Sequence, residues 1–71
     1  MIVYNRQLKK DDIINLDIDE ELIFYRDNNI AYTINRLYEG SYIIRKKKIF
    51  NNELTDEKIL KTVEQIIKTI T

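Results

Sequence analysis

Apolar residues near the C-terminal end of the chain recur at the spacing of one face of a helix. Between positions 55 and 70 they are separated by charged and polar residues, which is typical of a helix that packs on one side. The stripe consists of Ile59, Leu60, Val63, Ile66, Ile67 and Ile70. Thr55 has a suitable N-cap side chain, and Asp56 and Glu57 place negative charge in the first turn. The pattern predicts a C-terminal amphipathic helix over about 55–70.

The preceding part of the chain alternates apolar and polar residues as strands do. Strands are predicted at about 2–6, 21–26, 30–37 and 41–48. Asp27-Asn28-Asn29 and Tyr38-Glu39-Gly40 read as the hairpin turns between the last three, since Asn and Asp bond the local backbone and glycine tolerates positive φ. The predicted fold class is α+β: a small antiparallel sheet of three to four strands with the C-terminal helix packed on one face.

The lengths of the two turns decide which side chains share a face of the sheet, because a one-residue slip inverts a strand. Three-residue loops collect the larger apolar side chains on one face, and we expect the helix to cover it. That face carries Leu22, Phe24, Ile30, Tyr32, Ile34, Tyr42 and Ile44. The opposite face carries Ile23, Tyr25, Ala31, Thr33, Asn35, Leu37, Ile43, Arg45 and Lys47. It is apolar enough to be covered, either by the N-terminal strand with the apolar residues of 11–21 or by another protein.

The segment 11–21 is ambiguous. Asp11 or Asp12 suits the N-cap of a short helical turn through Ile13, Ile14 and Leu16, whereas residues 16–19 alternate like a strand. We favour a helical turn followed by an extended approach to the strand at 21–26.

Composition limits the chemistry that the chain can perform. Its 71 residues make one domain, 1–71, and include no cysteine and no histidine. Disulfides and zinc sites are therefore excluded, as are the common general bases and thiol nucleophiles. We expect no enzymatic activity, no cofactor and no metal. The sequence shows no signal peptide and no apolar run of membrane-spanning length, so no membrane association and a cytoplasmic location are expected.

Charge is zero overall but unevenly distributed. Residues 11–21 contain six acids and no base: Asp11, Asp12, Asp17, Asp19, Glu20 and Glu21. The spacing Asp17-x-Asp19-x-Glu21 lacks the glycine of a calcium loop, so it reads as a solvated acidic stretch. These acids, together with Tyr25 and Tyr38, are the predicted contacts with a protein partner.

A basic stretch supports a second interpretation. Arg36, Arg45, Lys47 and Lys48 are the candidates for contacts with nucleic acid. Consecutive strand residues point to opposite faces, however, so at most half of a basic run can face one ligand.

Together these features favour a non-enzymatic protein-interaction module. We expect a small inhibitor or accessory protein that binds a larger protein through its acidic surface, with a homodimer as a compatible state. Almost half of the residues are Ile, Asn, Lys or Tyr, whose codons are rich in A and T, which favours a phage or other mobile element as the origin. The alternative is a small nucleic-acid-binding module that uses the basic strand 45–48.

Overall fold

A computed structural model describes all residues, 1–71, as one five-stranded sheet with two helices on one face. In chain order the elements are β1 (Ile2–Tyr4), α1 (Lys10–Ile14), β2 (Glu21–Tyr25), β3 (Ile30–Arg36), β4 (Tyr42–Lys48), β5 (Glu53–Leu60) and α2 (Val63–Ile70). The strands lie side by side in the order in which they occur in the chain. The α+β class and the C-terminal helix are confirmed, but the sheet has five strands rather than three to four.

The central hairpins have the predicted three-residue loops. Tyr25 lies opposite Ala31 across β2 and β3, and the Arg26 N–H donates to the Ile30 carbonyl at 3.1 Å, which leaves residues 27–29 as the loop. The Asp27 carboxylate closes this loop by accepting the N–H groups of Asn29 and Ile30 at 2.8 and 2.9 Å. These bonds favour the charged carboxylate and lower the pKa of Asp27.

The second hairpin closes in the same way and uses the chain's single glycine. The Leu37 N–H donates to the Ser41 carbonyl at 2.8 Å, so the loop is residues 38–40. Gly40 has a φ of 95°, a conformation that side chains strongly disfavour. With both loops fixed, the predicted apolar face is confirmed as the core side of the sheet.

The prediction of one helix over 55–70 is wrong in its first half. Residues 53–60 form β5, which pairs antiparallel with β4 from Tyr42 opposite Leu60 to Lys48 opposite Glu53. Thr55 is not an N-cap; its hydroxyl donates to the Lys46 carbonyl at 3.1 Å across this pair. Residues 55–58 contribute no apolar side chain to the stripe, so a helix there would bury little, whereas pairing with β4 forms backbone bonds between the two strands.

Helix α2 begins instead at a capping box. Thr62 Oγ1 accepts from the Gln65 N–H at 3.2 Å, and Gln65 Oε1 accepts from the N–H groups of Thr62 and Lys61 at 3.2 and 3.0 Å. The later half of the apolar stripe does pack as predicted, because Ile66 and Ile70 are buried and Val63 and Ile67 lie against the core.

The N-terminal strand pairs parallel to β2, which corrects the prediction of a purely antiparallel sheet. Ile2 lies opposite Leu22. The connection between these two parallel strands runs over one face of the sheet and includes α1. The short helical turn at 11–14 is thereby confirmed, although Lys9 rather than Asp11 or Asp12 occupies its N-cap. The strand-like alternative for residues 16–19 is not adopted.

Both helices lie on the same face of the sheet, which we call the covered face. The core there joins residues of α1 and α2 to those of β2, β3 and β4, and it contains Leu8, Ile13, Leu16, Leu22, Phe24, Tyr32, Ile34, Tyr42, Ile44, Ile66 and Ile70. No element covers the other side, which we call the open face. The expectation that the apolar residues of 11–21 help to cover it is wrong, since Ile13 and Leu16 are buried in the core and Ile14 and Ile18 are exposed.

Neither helix has the length and apolar character needed to cross a membrane.

Candidate functional site

Ion pairs separate the acids of the chain into two groups. Asp12, Asp27, Glu53, Asp56, Glu57 and Glu64 each form an ion pair with a lysine or arginine. The acids without one are Asp11, Asp17, Asp19, Glu20, Glu21 and Glu39. All of these except Glu39, which accepts the Ser41 hydroxyl at 2.8 Å, belong to residues 11–21. We call residues 11–21 the acidic segment; it concentrates negative charge that the chain does not neutralise.

Asp12 is the exception within the acidic segment, because it forms an ion pair and hydrogen bonds within the chain. Its two oxygens accept from Arg6 Nη1 and Nη2 at 3.0 and 3.1 Å, and Oδ2 also accepts from the Lys9 N–H at 2.8 Å. The Arg6 guanidinium is the main cause that lowers the pKa of Asp12, and the Lys9 N–H adds to it. Asp12 therefore links the chain after β1 to the first turn of α1 and is less available to a partner.

The rest of the acidic segment is held in one conformation by its apolar residues. Ile13 and Leu16 are fully buried, whereas Ile14 and Ile18 remain 51% and 43% exposed. Arg36 Nη1 donates to the carbonyls of Leu16 and Ile14 at 3.2 and 3.4 Å and so fixes the end of α1 to the sheet. Ile14 and Ile18 therefore face solvent among acids that form no ion pair. The buried residues and Arg36 hold their backbone in place.

A tight turn fixes the second half of the segment. The Glu20 N–H donates to the Asp17 carbonyl at 3.1 Å, and Glu20 Oε1 accepts from the Asp17 N–H at 3.1 Å. Asn35 Nδ2 donates to the Glu20 carbonyl at 3.4 Å and ties the turn to β3. The side chains of Asp17 and Asp19 are exposed and accept no hydrogen bond from the protein, so they are free for an external partner.

The structure does not bring all eight predicted partner contacts together. Glu21 and Tyr25 lie on the open face, at opposite ends of β2. Tyr38 is 89% exposed at the tip of the β3–β4 loop, beyond the end of β3 where Asn35 pairs with Glu21. Tyr38 therefore shares one end of the sheet with the acidic segment, whereas Tyr25 lies about 14 Å from Glu21 at the other end of β2.

The four predicted nucleic-acid contacts are dispersed. Arg36 is engaged with the carbonyls at the end of α1, and its guanidinium lies 5.9 Å from the Tyr42 ring centre. Arg45 Nε donates to Glu57 Oε2 at 2.6 Å on the open face. Lys47 is also on the open face, but Lys48 belongs to the covered side and lies 4.0 Å from Glu53. This arrangement presents no continuous basic surface.

The sequence predictions missed the exposed apolar residues that accompany the acids. Ile14 and Ile18 were grouped with Ile13 and Leu16, although helical spacing alone separates Ile13 and Leu16 from Ile14. Val3, Leu54 and Ile59 were likewise missed as open-face residues, because their exposure depends on the pairing of β1 and β5. No three acidic side chains lie close enough together to hold a metal ion.

The fold and these surfaces define a small α+β domain with a mixed five-stranded sheet, helices on one face only, and an unneutralised acidic segment at one end. Comparisons with protein families, curated protein sequences and solved structures found no match to this chain.

Proposed function

We propose that this chain is a non-enzymatic protein-interaction module that binds a larger protein through the acidic segment. The observation that carries the proposal is the distribution of charges: five of the six acids that form no ion pair lie in residues 11–21. The bases without an ion pair are Lys9, Arg36, Lys46, Lys47, Lys61 and Lys68, which are spread over several elements and both faces. Clustered charge steers association with an oppositely charged surface, whereas scattered charge does not.

The partner surface that fits this segment is basic at its rim and apolar at its centre. Asp11, Asp17 and Asp19 supply the charge, and Ile14 and Ile18 supply apolar area that can be buried on contact. Because Ile13, Leu16 and Arg36 already hold the backbone in place, little ordering is required on binding. Such a module acts by occupying a site on its partner, which is the behaviour of an inhibitor or accessory protein. We place it in the cytoplasm and in a phage or other mobile element, a placement that rests on the sequence composition.

The proposal is tested by charge reversal on the acidic segment. The double variant Asp17→Lys/Asp19→Lys changes two exposed side chains that make no hydrogen bonds, so the fold should be retained. The matched control Glu53→Lys/Asp56→Lys makes the same change in net charge at exposed sites on β5. Each protein is used as bait on a lysate of an AT-rich bacterium at low and high salt. We expect the wild type and the control to capture the same protein, and we expect high salt to weaken this binding. The segment variant should not capture that protein.

A parallel titration against labelled single- and double-stranded oligonucleotides examines the nucleic-acid alternative. We expect no binding at low salt. Salt-sensitive binding that is abolished by Arg45→Glu/Lys47→Glu would instead establish the nucleic-acid function and contradict our proposal. Capture that is equal for the segment variant and its control would also contradict it.

A further inference from the structure

The open face of the sheet carries apolar side chains that nothing in the chain covers. Val3, Tyr25, Leu54 and Ile59 are all exposed, and Ile23 and Ile43 are half-buried between their neighbours. None of them contributes to the core on the covered face. We propose that this face joins two copies of the chain in a symmetric dimer. The inference is independent of the proposed function, which uses the acidic segment.

The registers of β2, β3 and β4 define the centre of the open face as a grid of three rows. The rows, each read from β2 to β4, are Glu21–Asn35–Ile43, Ile23–Thr33–Arg45 and Tyr25–Ala31–Lys47. One diagonal of this grid is Tyr25–Thr33–Ile43, and the other is Glu21–Thr33–Lys47. Thr33 therefore occupies the centre, with uncharged residues along one diagonal and opposite charges at the ends of the other.

The charges on this face are balanced, but only half of them are paired within the chain. Arg45 and Glu57 neutralise each other at 2.6 Å. Glu21 and Lys47 form no ion pair, and their positions in the grid place their backbones about 16 Å apart on a flat sheet. A partner that satisfies both must present a base against Glu21 and an acid against Lys47.

A second copy meets this requirement if the twofold axis passes over Thr33 and runs perpendicular to the line from Glu21 to Lys47. Rotation about that axis exchanges the two sides of the grid, so Glu21 of each copy faces Lys47 of the other. Contacts across a twofold axis are reciprocal, and both charge pairs therefore form at once. The same rotation crosses the strands of the two sheets at about 70°, which is closer to the orthogonal than to the aligned arrangement of packed sheets.

Thr33 marks the centre of this face. It is 8% exposed because its neighbours in the chain already enclose it, and its Oγ1 is buried without any hydrogen-bond partner in the chain. Thr33 lies on the proposed axis, beside a groove of about 280 Å³ lined in part by Ile23, Tyr25, Ala31 and Lys47.

The size of the face sets the expected strength of the dimer. Five strands spaced at about 4.8 Å and three rows of side chains cover roughly 24 by 20 Å, or about 500 Å² for each copy. Stable interfaces bury about 800 Å² from each partner. We therefore expect a dissociation constant in the micromolar range and a molecular mass that rises with concentration.

Charge exchange between positions 21 and 47 tests this geometry. Sedimentation equilibrium of the wild type from about 5 μM to about 1 mM covers the expected dissociation range. Glu21→Lys and Lys47→Glu each place two like-charge contacts in the dimer and should each weaken it by about tenfold. The double variant Glu21→Lys/Lys47→Glu restores both attractive pairs and should dimerise like the wild type.

An equimolar mixture of the two single variants provides a second readout. Each unlike pair of copies then carries two attractive contacts, so heterodimers should form at concentrations at which either variant alone is mostly monomeric. Because the same two proteins are used, recovery in the mixture cannot arise from a folding defect. Asp19→Lys/Lys68→Glu exchanges exposed charges away from the open face and should leave association unchanged. A monomer at every concentration, or no recovery in the mixture and the double variant, would overturn the proposal.

Discussion

Strand β5 and helix α2 carry one continuous sequence pattern and yet adopt different structures. Ile59 and Ile66 both belong to the apolar stripe of the predicted helix, but Ile59 is 63% exposed on the open face and Ile66 is fully buried on the covered face. The chain changes from strand to helix at Lys61-Thr62, where the capping box begins. Apolar residues at helical spacing therefore do not by themselves determine which of them lie in a helix and pack against the core. For residues 53–60 the pairing with β4 decides that instead.

The largest expected effect comes from replacing one isoleucine in each element, β5 and α2, with a charged residue. Ile66→Asp buries an unpaired carboxylate among Leu16, Ile34 and the other core residues, and we expect the domain to unfold. Ile59→Asp adds a charge at an exposed site and should change the free energy of unfolding by about 0.5 kcal/mol or less. Urea unfolding followed by circular dichroism, at low micromolar protein concentration, measures both. Equal effects of the two substitutions would show that β5 and α2 do not differ as described.

A smaller change in the free energy of unfolding is expected from substitutions of Thr62, the observed N-cap, and Thr55, the predicted one. Thr62→Ala removes the side chain that accepts from the Gln65 N–H, and loss of an N-cap costs about 1 kcal/mol. Thr55→Ala removes only an exposed hydroxyl bond to the Lys46 carbonyl and should cost less than half as much. The two values are compared by chemical unfolding under identical conditions. A larger loss for Thr55→Ala would favour a helix that begins before position 62.

The smallest expected effect concerns the first turn of α2. Hydrogen bonding by its own backbone N–H and the nearby Lys10 charge lower the pKa of Glu64. A carboxylate with a lowered pKa in the folded state stabilises it at neutral pH, and this contribution is lost as pH falls through that pKa. An NMR titration should place the Glu64 midpoint below the value of about 4.3 for free glutamate. Below that midpoint, amide protection should fall in α2 before it falls in β5, and Glu64→Gln should remove that difference.

The sequence was sufficient to predict the central part of the sheet for a definite reason. Alternation in β2, β3 and β4 fixes which residues share a face, and the two turns fix the register between the strands. Leu22, Tyr32 and Ile44 could therefore be assigned to the same core from the sequence alone. The same alternation assigned Tyr25, Thr33 and Ile43 to the opposite face.

The rest of the fold depends on contacts that a local pattern does not contain. The three residues of β1 carry no register information, so their parallel pairing with Leu22, Ile23 and Phe24 could not be predicted. The ion pair of Arg45 with Glu57 requires β5, which was predicted as helix. Arg36 was assigned to a binding surface because its bond to the end of α1 joins distant parts of the chain, and Asp12 because its bond to Arg6 depends on how the chain enters α1.

The order of the strands has a consequence for how the chain folds. From β2 to β5 each strand pairs with the next one along the chain, so most of the sheet forms by closing short loops. Strand β1 must instead find β2 across the crossover from Ile2 to Leu22. Loop closure over longer distances is slower, and we expect the meander to form first and β1 to join last. Substitutions in β1 should then accelerate unfolding with little effect on the folding rate, whereas slowed folding in such variants would reverse that order.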